Sequence, residues 1–133
     1  MKLNHDCTRE CLLFLEQELE LNKSIDPADV INSLNYTEDI TSYSLQKLRE
    51  ANYIVGGVNI SYDFYGNGTV ENTPIKDITW EGHEYLNTVR DNRVWKKTKD
   101  ITSSLKSVSL SMMKTVATQV LVGILKDVSG LPL

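Results

Sequence analysis

Three observations predict an α+β fold for this chain. Residues up to Ala51 carry apolar side chains at helical spacing, in three short segments separated by turn and cap signals. Tyr53 to Thr79 switches to a two-strand pattern with glycine punctuation. From Trp80 onward the helical period returns and is scarcely interrupted. With 41% hydrophobic residues in 133, the chain suffices for one modest core and at most one appended element.

The first helix is predicted over Asp6 to Leu21, with Asn4 or Asp6 as its cap. Cys7, Cys11, Leu12, Leu15 and Leu19 form its inner face, opposite Glu16, Glu18 and Glu20. Asn22-Lys23-Ser24 breaks it. Asp26-Pro27 then sets a cap residue before a proline with a preset helical φ, opening a helix to Leu34 with Val30, Ile31 and Leu34 inward. Thr37 caps a third helix to Ala51. Glu38 and Asp39 favour its positive dipole end, and Ile40, Tyr43 or Ser44, Leu45, Leu48 and Ala51 are its buried stripe. Asn52 stands where a helix end needs a left-handed residue.

The strands follow. Gly56-Gly57 marks a bulge, Gly66-Asn67-Gly68 a hairpin turn, and Pro74 an edge or bulge on the return strand. Thr79 caps a fourth helix on which Trp80, Tyr85, Leu86 and Val89 close over the core. Three helices with these loop lengths, then a two-stranded hairpin and a helix, are the order of a winged helix-turn-helix domain. Its predicted extent is residues 1–90.

Residues 91–133 form a long amphipathic C-terminal helical extension. Val94, Thr98, Ile101, Leu105, Val108 and Met112 fall at steps of 4, 3, 4, 3 and 4, about two and a half heptads. Val116, Val120 and Ile124 continue at steps of 4, a shift that disrupts a simple two-stranded coil, and Ser107 to Ser111 is a place for a bend. A continuous helix over 91–128 would reach roughly 57 Å. A domain of some 90 residues is too small to bury its whole stripe, so the segment folds back as a hairpin, pairs with another copy or docks on a partner. Val94, Ile101, Leu105, Val108, Met112, Val116, Val120 and Ile124 are the candidate oligomerisation or docking residues.

Charge separates the two parts. Residues 1–89 hold 6 Lys/Arg against 15 Asp/Glu, and residues 90–133 hold 8 against 3, within a total of −4. An acidic first part argues against groove reading, which needs cations at phosphates. If nucleic acid is bound, Gln46, Lys47 and Arg49 would enter the groove, and Arg90, Arg93, Lys96, Lys97 and Lys99 would grip the backbone beside Trp95. The plainer reading of those last cations is the solvated face of a helix.

No catalytic residues are expected: no nucleophile elbow, phosphate loop or acid–base pair stands out. Cys7 and Cys11, four apart, lack a second Cys pair to complete a zinc site, and His5 or His83 would have to be recruited. They read instead as small core side chains. No cofactor is expected. No segment reaches the length of a membrane span, and the uncharged Thr115 to Leu125 would at most lie on a membrane surface. A polar N-terminus predicts a cytoplasmic protein with reduced thiols.

Four blocks carry a resemblance. They are Met1-Lys2-Leu3-Asn4-His5-Asp6, Leu48-Arg49-Glu50-Ala51-Asn52-Tyr53-Ile54, Ile78-Thr79-Trp80-Glu81-Gly82-His83-Glu84-Tyr85-Leu86 and Val94-Trp95-Lys96-Lys97-Thr98-Lys99. Over essentially its whole length the chain resembles a family of small phage and prophage proteins of Gram-positive bacteria, a domain of unknown function. The resemblance implies a winged-helix-like N-terminal part, a helical C-terminal segment and a mobile-element setting, but no activity and no site residues. The expected function is therefore a non-enzymatic phage accessory protein that works by protein–protein contact and self-association, with an unknown protein partner. The alternatives are a DNA-binding regulator of phage genes, and an acidic inhibitor of a host defence nuclease that mimics phosphate charge.

Overall fold

The first helix is built from its cap inward. In the computed structural model, which describes residues 1–132, the Asn4 side chain accepts a 2.9 Å hydrogen bond from the Cys7 amide and starts α1 (His5–Glu18). Cys7, Cys11, Leu12 and Leu15 are fully buried along one face, as the spacing predicts. The helix ends at Glu18 rather than Leu21, and Asn22 turns the chain back at φ 67°. Leu21 stays exposed. Pro27 opens α2 (Pro27–Ser33), although the Asp26 side chain makes no capping hydrogen bond. Thr37 caps α3 (Glu38–Glu50) by accepting from the Ile40 amide at 3.3 Å.

The buried face of α3 is Thr41, Ser44, Leu45, Gln46 and Leu48. Ile40 is only half-buried and Ala51 is exposed, so the stripe lies one position further round than the apolar residues suggested. The shift lets α3 pack on α1, α2 and β1, and it brings the small hydroxyls of Thr41 and Ser44 beside Cys7. Asn52 leaves the helix at φ 61°.

Strands β1 (Ile54–Tyr62) and β2 (Gly68–Ile78) form one antiparallel ladder. Val55 pairs with Asp77 and Gly57 with Thr73, so residues 74–76 stand opposite Gly56 alone. A Cβ on Gly56, at φ +86°, would lie 2.1 Å from the Pro74 carbonyl oxygen, which makes glycine obligatory there. At this bulge β2 turns its backbone away from β1. Ile75 donates to Ile25 and accepts from it, at 2.7 and 2.9 Å, adding a single antiparallel bridge from the α1–α2 connection. Ile75 itself is fully buried.

The hairpin turn is not centred on Gly66-Asn67-Gly68. Gly68 already pairs with Tyr62, and the loop is residues 63–67, gathered by Asp63. One of its carboxylate oxygens accepts from the amides of Tyr65 and Asn67 at 2.9 Å, and the other from the Asn67 side chain at 3.2 Å.

The join into α4 (Trp80–Val89) explains the Thr-x-x-Gly spacing. The Thr79 hydroxyl accepts from the Gly82 amide at 3.1 Å and donates to the Asn52 carbonyl, while the Thr79 amide donates to the Tyr53 carbonyl at 3.0 Å. A Cβ on Gly82 would lie 2.2 Å from that same Tyr53 oxygen. Tyr85, Leu86 and Val89 are fully buried, whereas Trp80 is 75% exposed and does not join the core as expected.

The chain divides within α4 into two compact units, Met1–His83 and the residues from Glu84 onward. In the second, the C-terminal extension is two helices, α5 (Asn92–Thr102) and α6 (Leu110–Ser129), packed on each other, with the connection running through Ser107, where the sequence offers a bend. Asp91 caps α5 through the amides of Arg93 and Val94, and Ser109 caps α6 through that of Met112 at 3.1 Å. Val94, Trp95, Thr98 and Thr102 of α5 are buried, as are Met113 and Ala117 of α6, and the Thr102 hydroxyl lies 3.8 Å from the Met113 sulfur. The heptad seam is thus interrupted: Leu105 and Val108 fall in the connection between helices.

Candidate functional site

The residues expected to read a groove turn out to be engaged with their own unit. Gln46 is buried and its side-chain amide donates to Glu50 at 3.4 Å, so it cannot reach a base edge. Lys47 pairs with Glu50 at 2.8 Å and lies 5.2 Å from the centre of the Tyr43 ring. The hydrogen bond to Glu50 raises its pKa and holds the charge on the helix surface. Arg49 donates to the Thr73 hydroxyl of β2 at 3.5 Å. With 6 Lys/Arg against 14 Asp/Glu, the first unit carries −8.

The second set of cations follows the plainer reading. Lys96, Lys97 and Lys99 lie exposed on α5, opposite its buried Val94, Trp95 and Thr98. Arg90 donates to the Asn87 side chain at 2.8 Å. Arg93 pairs with Asp91 at 3.1 Å; its guanidinium, then the amides of α5's first turn, hold the Asp91 carboxyl down at about 2. Trp95 is buried and offers no stacking surface. From Glu84 onward there are 8 Lys/Arg and 4 Asp/Glu, a balance of +4.

Of the eight stripe residues, Val94 is fully buried and is lost to any outer surface. Ile101, Leu105 and Met112 are exposed, and Val108, Val116, Val120 and Ile124 are half-buried. The residues therefore form no single straight ridge. They do leave the second unit rich in uncovered apolar side chains, joined by Leu125 and Val128 near the end of α6.

Two features escaped the sequence reading. The hairpin tip presents Tyr62, Phe64, Tyr65 and Val70 to solvent, with Phe64 97% and Tyr65 85% exposed and their rings edge-on at 5.6 Å. The signal was there in three aromatics flanking Asp63, but alternation was followed only as far as Tyr62. A cleft of about 600 Å³ also opens between the end of α1, the following loop, β2 and the start of α4. Leu19, Lys23, Lys76, Asp77, Ile78 and His83 line it, and Lys23 is already paired with Glu20 at 2.7 Å. Acidic and basic side chains line it together.

Cys7 and Cys11 come together as spaced, their sulfurs 4.0 Å apart and fully buried. The hydrogen bond between the two thiols is the main influence lowering Cys7 to about 7, against burial that raises it, and the same bond and burial push Cys11 up. Among the described residues no group of three or more His, Cys, Asp or Glu side chains could hold a metal ion. None of the described helices is long and apolar enough to cross a membrane.

Fold and surfaces together define an α+β protein whose described residues form six helices and a two-stranded antiparallel sheet, with exposed apolar side chains at the hairpin tip and along the C-terminal helices as well as at Leu21 and Trp80. The chain belongs to the DUF2513 family, described as hypothetical proteins, which it matches over residues 2–109. It is also similar to a protein of Haemophilus influenzae described as uncharacterized, at 30% identity over 118 residues, covering 88% of this chain and 92% of the relative. No solved structure matches.

Proposed function

We propose that the first unit is a winged-helix domain adapted for protein contact, and that the chain is a non-enzymatic accessory protein of phage or prophage origin that self-associates through its C-terminal helices. Three helices, a hairpin and the Ile25–Ile75 bridge that ties the α1–α2 connection to that hairpin support the winged-helix assignment. The phage setting rests on the resemblance carried by the opening residues and the Gly82-His83-Glu84 block.

One observation carries self-association. Helix α6 has 20 residues and α5 only 11, or roughly 30 Å against 16 Å at 1.5 Å per residue. The buried residues of α6, Met113 and Ala117, both lie in its first half. Val120, Leu121, Val122, Ile124 and Leu125 follow with none of them fully buried, so α6 needs a further surface against it. Light scattering on the full chain tests this reading. A mass above one chain that falls for Val120→Glu with Ile124→Glu is the expected result, and a single-chain mass at all concentrations overturns it.

Exposed Lys96, Lys97 and Lys99 on the +4 unit favour a second reading, a regulator that holds DNA through its backbone. A complex with duplex DNA that dissolves between about 50 and 200 mM salt would support it. No complex at low salt would remove it. The internal pairing of Lys47 and the burial of Gln46 make this reading the weaker one.

A further inference from the structure

We infer that the aromatic hairpin tip of one copy docks on the exposed apolar face of the α5–α6 pair of a second copy, so that the chains associate head to tail. This rests on self-association and names the two surfaces that meet.

The tip is built to bind. Phe64 and Tyr65 on the loop, with Tyr62 and Val70 on the strands beside it, are between 60 and 97% exposed, and the loop is already fixed. The Asp63 amide donates to the Asn67 carbonyl at 3.0 Å, the Gly66 amide to the Asp63 carbonyl at 3.1 Å, and the Asp63 carboxylate takes three further bonds. Large rings on a preorganised loop lose little conformational freedom on docking, and aromatic anchors of this kind dominate interfaces. The facing surface has the matching character. Ile101, Leu105 and Met112 are 48 to 57% exposed in the single chain, and methionine adapts its shape and makes favourable sulfur–aromatic contacts.

Charge selects the pairing. The tip belongs to a unit of −8 and the helical face to one of +4, so tip-to-face contact brings opposite signs together. Tip-to-tip and face-to-face contacts each oppose like signs. The contact joins two different patches, and each copy carries one of each.

Sedimentation equilibrium of the full chain at low salt tests this with two variants, Phe64→Asp with Tyr65→Asp at the tip, and Leu105→Asp with Met112→Asp on the face. All four positions are exposed, and circular dichroism checks that each variant remains folded. The unaltered chain is expected above the 15.1 kDa of one copy, and each variant alone at that mass. An equal mixture is expected to recover a species of twice that mass, because one variant keeps its face and the other its tip. Raising salt from about 50 to 500 mM should weaken every assembly. A tip variant that retains the mass of the unaltered chain overturns the head-to-tail pairing while leaving self-association intact, and so does a mixture that fails to recover. An unaltered chain that stays at one copy removes both, whatever other protein or surface the tip then engages.

Discussion

The two units solve the same packing problem to different depths. In the first, three helices and a bulged hairpin fully bury Cys7, Cys11, Leu12, Leu15, Leu45, Leu48 and Ile75. Gly56 and Gly82 there sit where a methyl group would strike backbone. In the second, α5 and α6 bury a narrow seam and leave Ile101, Leu105, Met112, Leu125 and Val128 exposed. Its Gly123 has nothing within 4 Å of a would-be Cβ. The first unit is therefore specified by its own interior. Both carry apolar surface that their own interiors do not use, the first mainly at its hairpin tip and the second along α5 and α6.

Substitutions should separate the two, read by hydrogen exchange so that each unit reports independently. The largest effect is expected at Leu48, fully buried on α3, where Leu48→Ala should cost about 2–5 kcal/mol in the first unit. Met112→Ala, at a half-exposed position of the second, should change stability by under about 0.5 kcal/mol in the isolated chain. Equal costs at the two sites would erase the contrast.

Next comes Gly82→Ala, whose methyl group would lie 2.2 Å from the Tyr53 carbonyl oxygen; roughly 1–3 kcal/mol or more should be lost, with early exchange at the Thr79–Gly82 join. Gly123→Ala should act in the opposite direction, strengthening α6 by about 0.5–1 kcal/mol because no contact opposes it. A destabilised Gly123→Ala chain would mean that this face is closely covered in solution, as in a tight helix–helix contact.

The smallest effect is electrostatic. Asp91 titrates near 2 in the folded chain, below its usual 3.8, mainly because Arg93 donates to it. The folded state therefore gains from ionised Asp91 above about pH 4, and that gain disappears as pH falls toward 2. The amides of Arg93 and Val94 should lose exchange protection in that window, and Asp91→Asn should flatten the dependence. The first unit has its own acid-sensitive carboxylate at Asp63, lowered chiefly by the Asn67 amide, so loss of protection at the hairpin loop provides an internal comparison.

What the sequence made legible was local. The Asn4 and Thr37 caps, the left-handed Asn52 and the Gly56-Gly57 bulge each follow from the steric or hydrogen-bonding needs of a few neighbouring residues, and each is found. What it obscured depended on competition. Asn67-Gly68 is a strong turn signal, yet the Asp63 carboxylate gathers three donors and moves the turn upstream. Trp80 has the composition of a core residue, but the Thr79 cap fixes the start of α4, and its side chain points into solvent. The apolar steps from Val94 to Met112 run on through the break between α5 and α6; the serines from Ser107 to Ser111 mark that break, which Ser109 enforces by capping a new helix, whereas periodicity alone does not register it. Among the candidate contacts, Lys47 and Arg49 lie half-exposed on α3, and their partners Glu50 and Thr73 could be known only from the fold.

The bridge between Ile25 and Ile75 has a kinetic consequence. Helices α5 and α6 are joined by a short connection, so their pairing closes a small loop and should form early. The bridge joins two isoleucines separated by α2, α3, β1 and most of β2, a far larger loop to close. By loop-closure entropy it should be a late step of the first unit. Until it closes, the backbone of Ile75 in a freshly made chain is an open strand edge, available to the same residue of a neighbour.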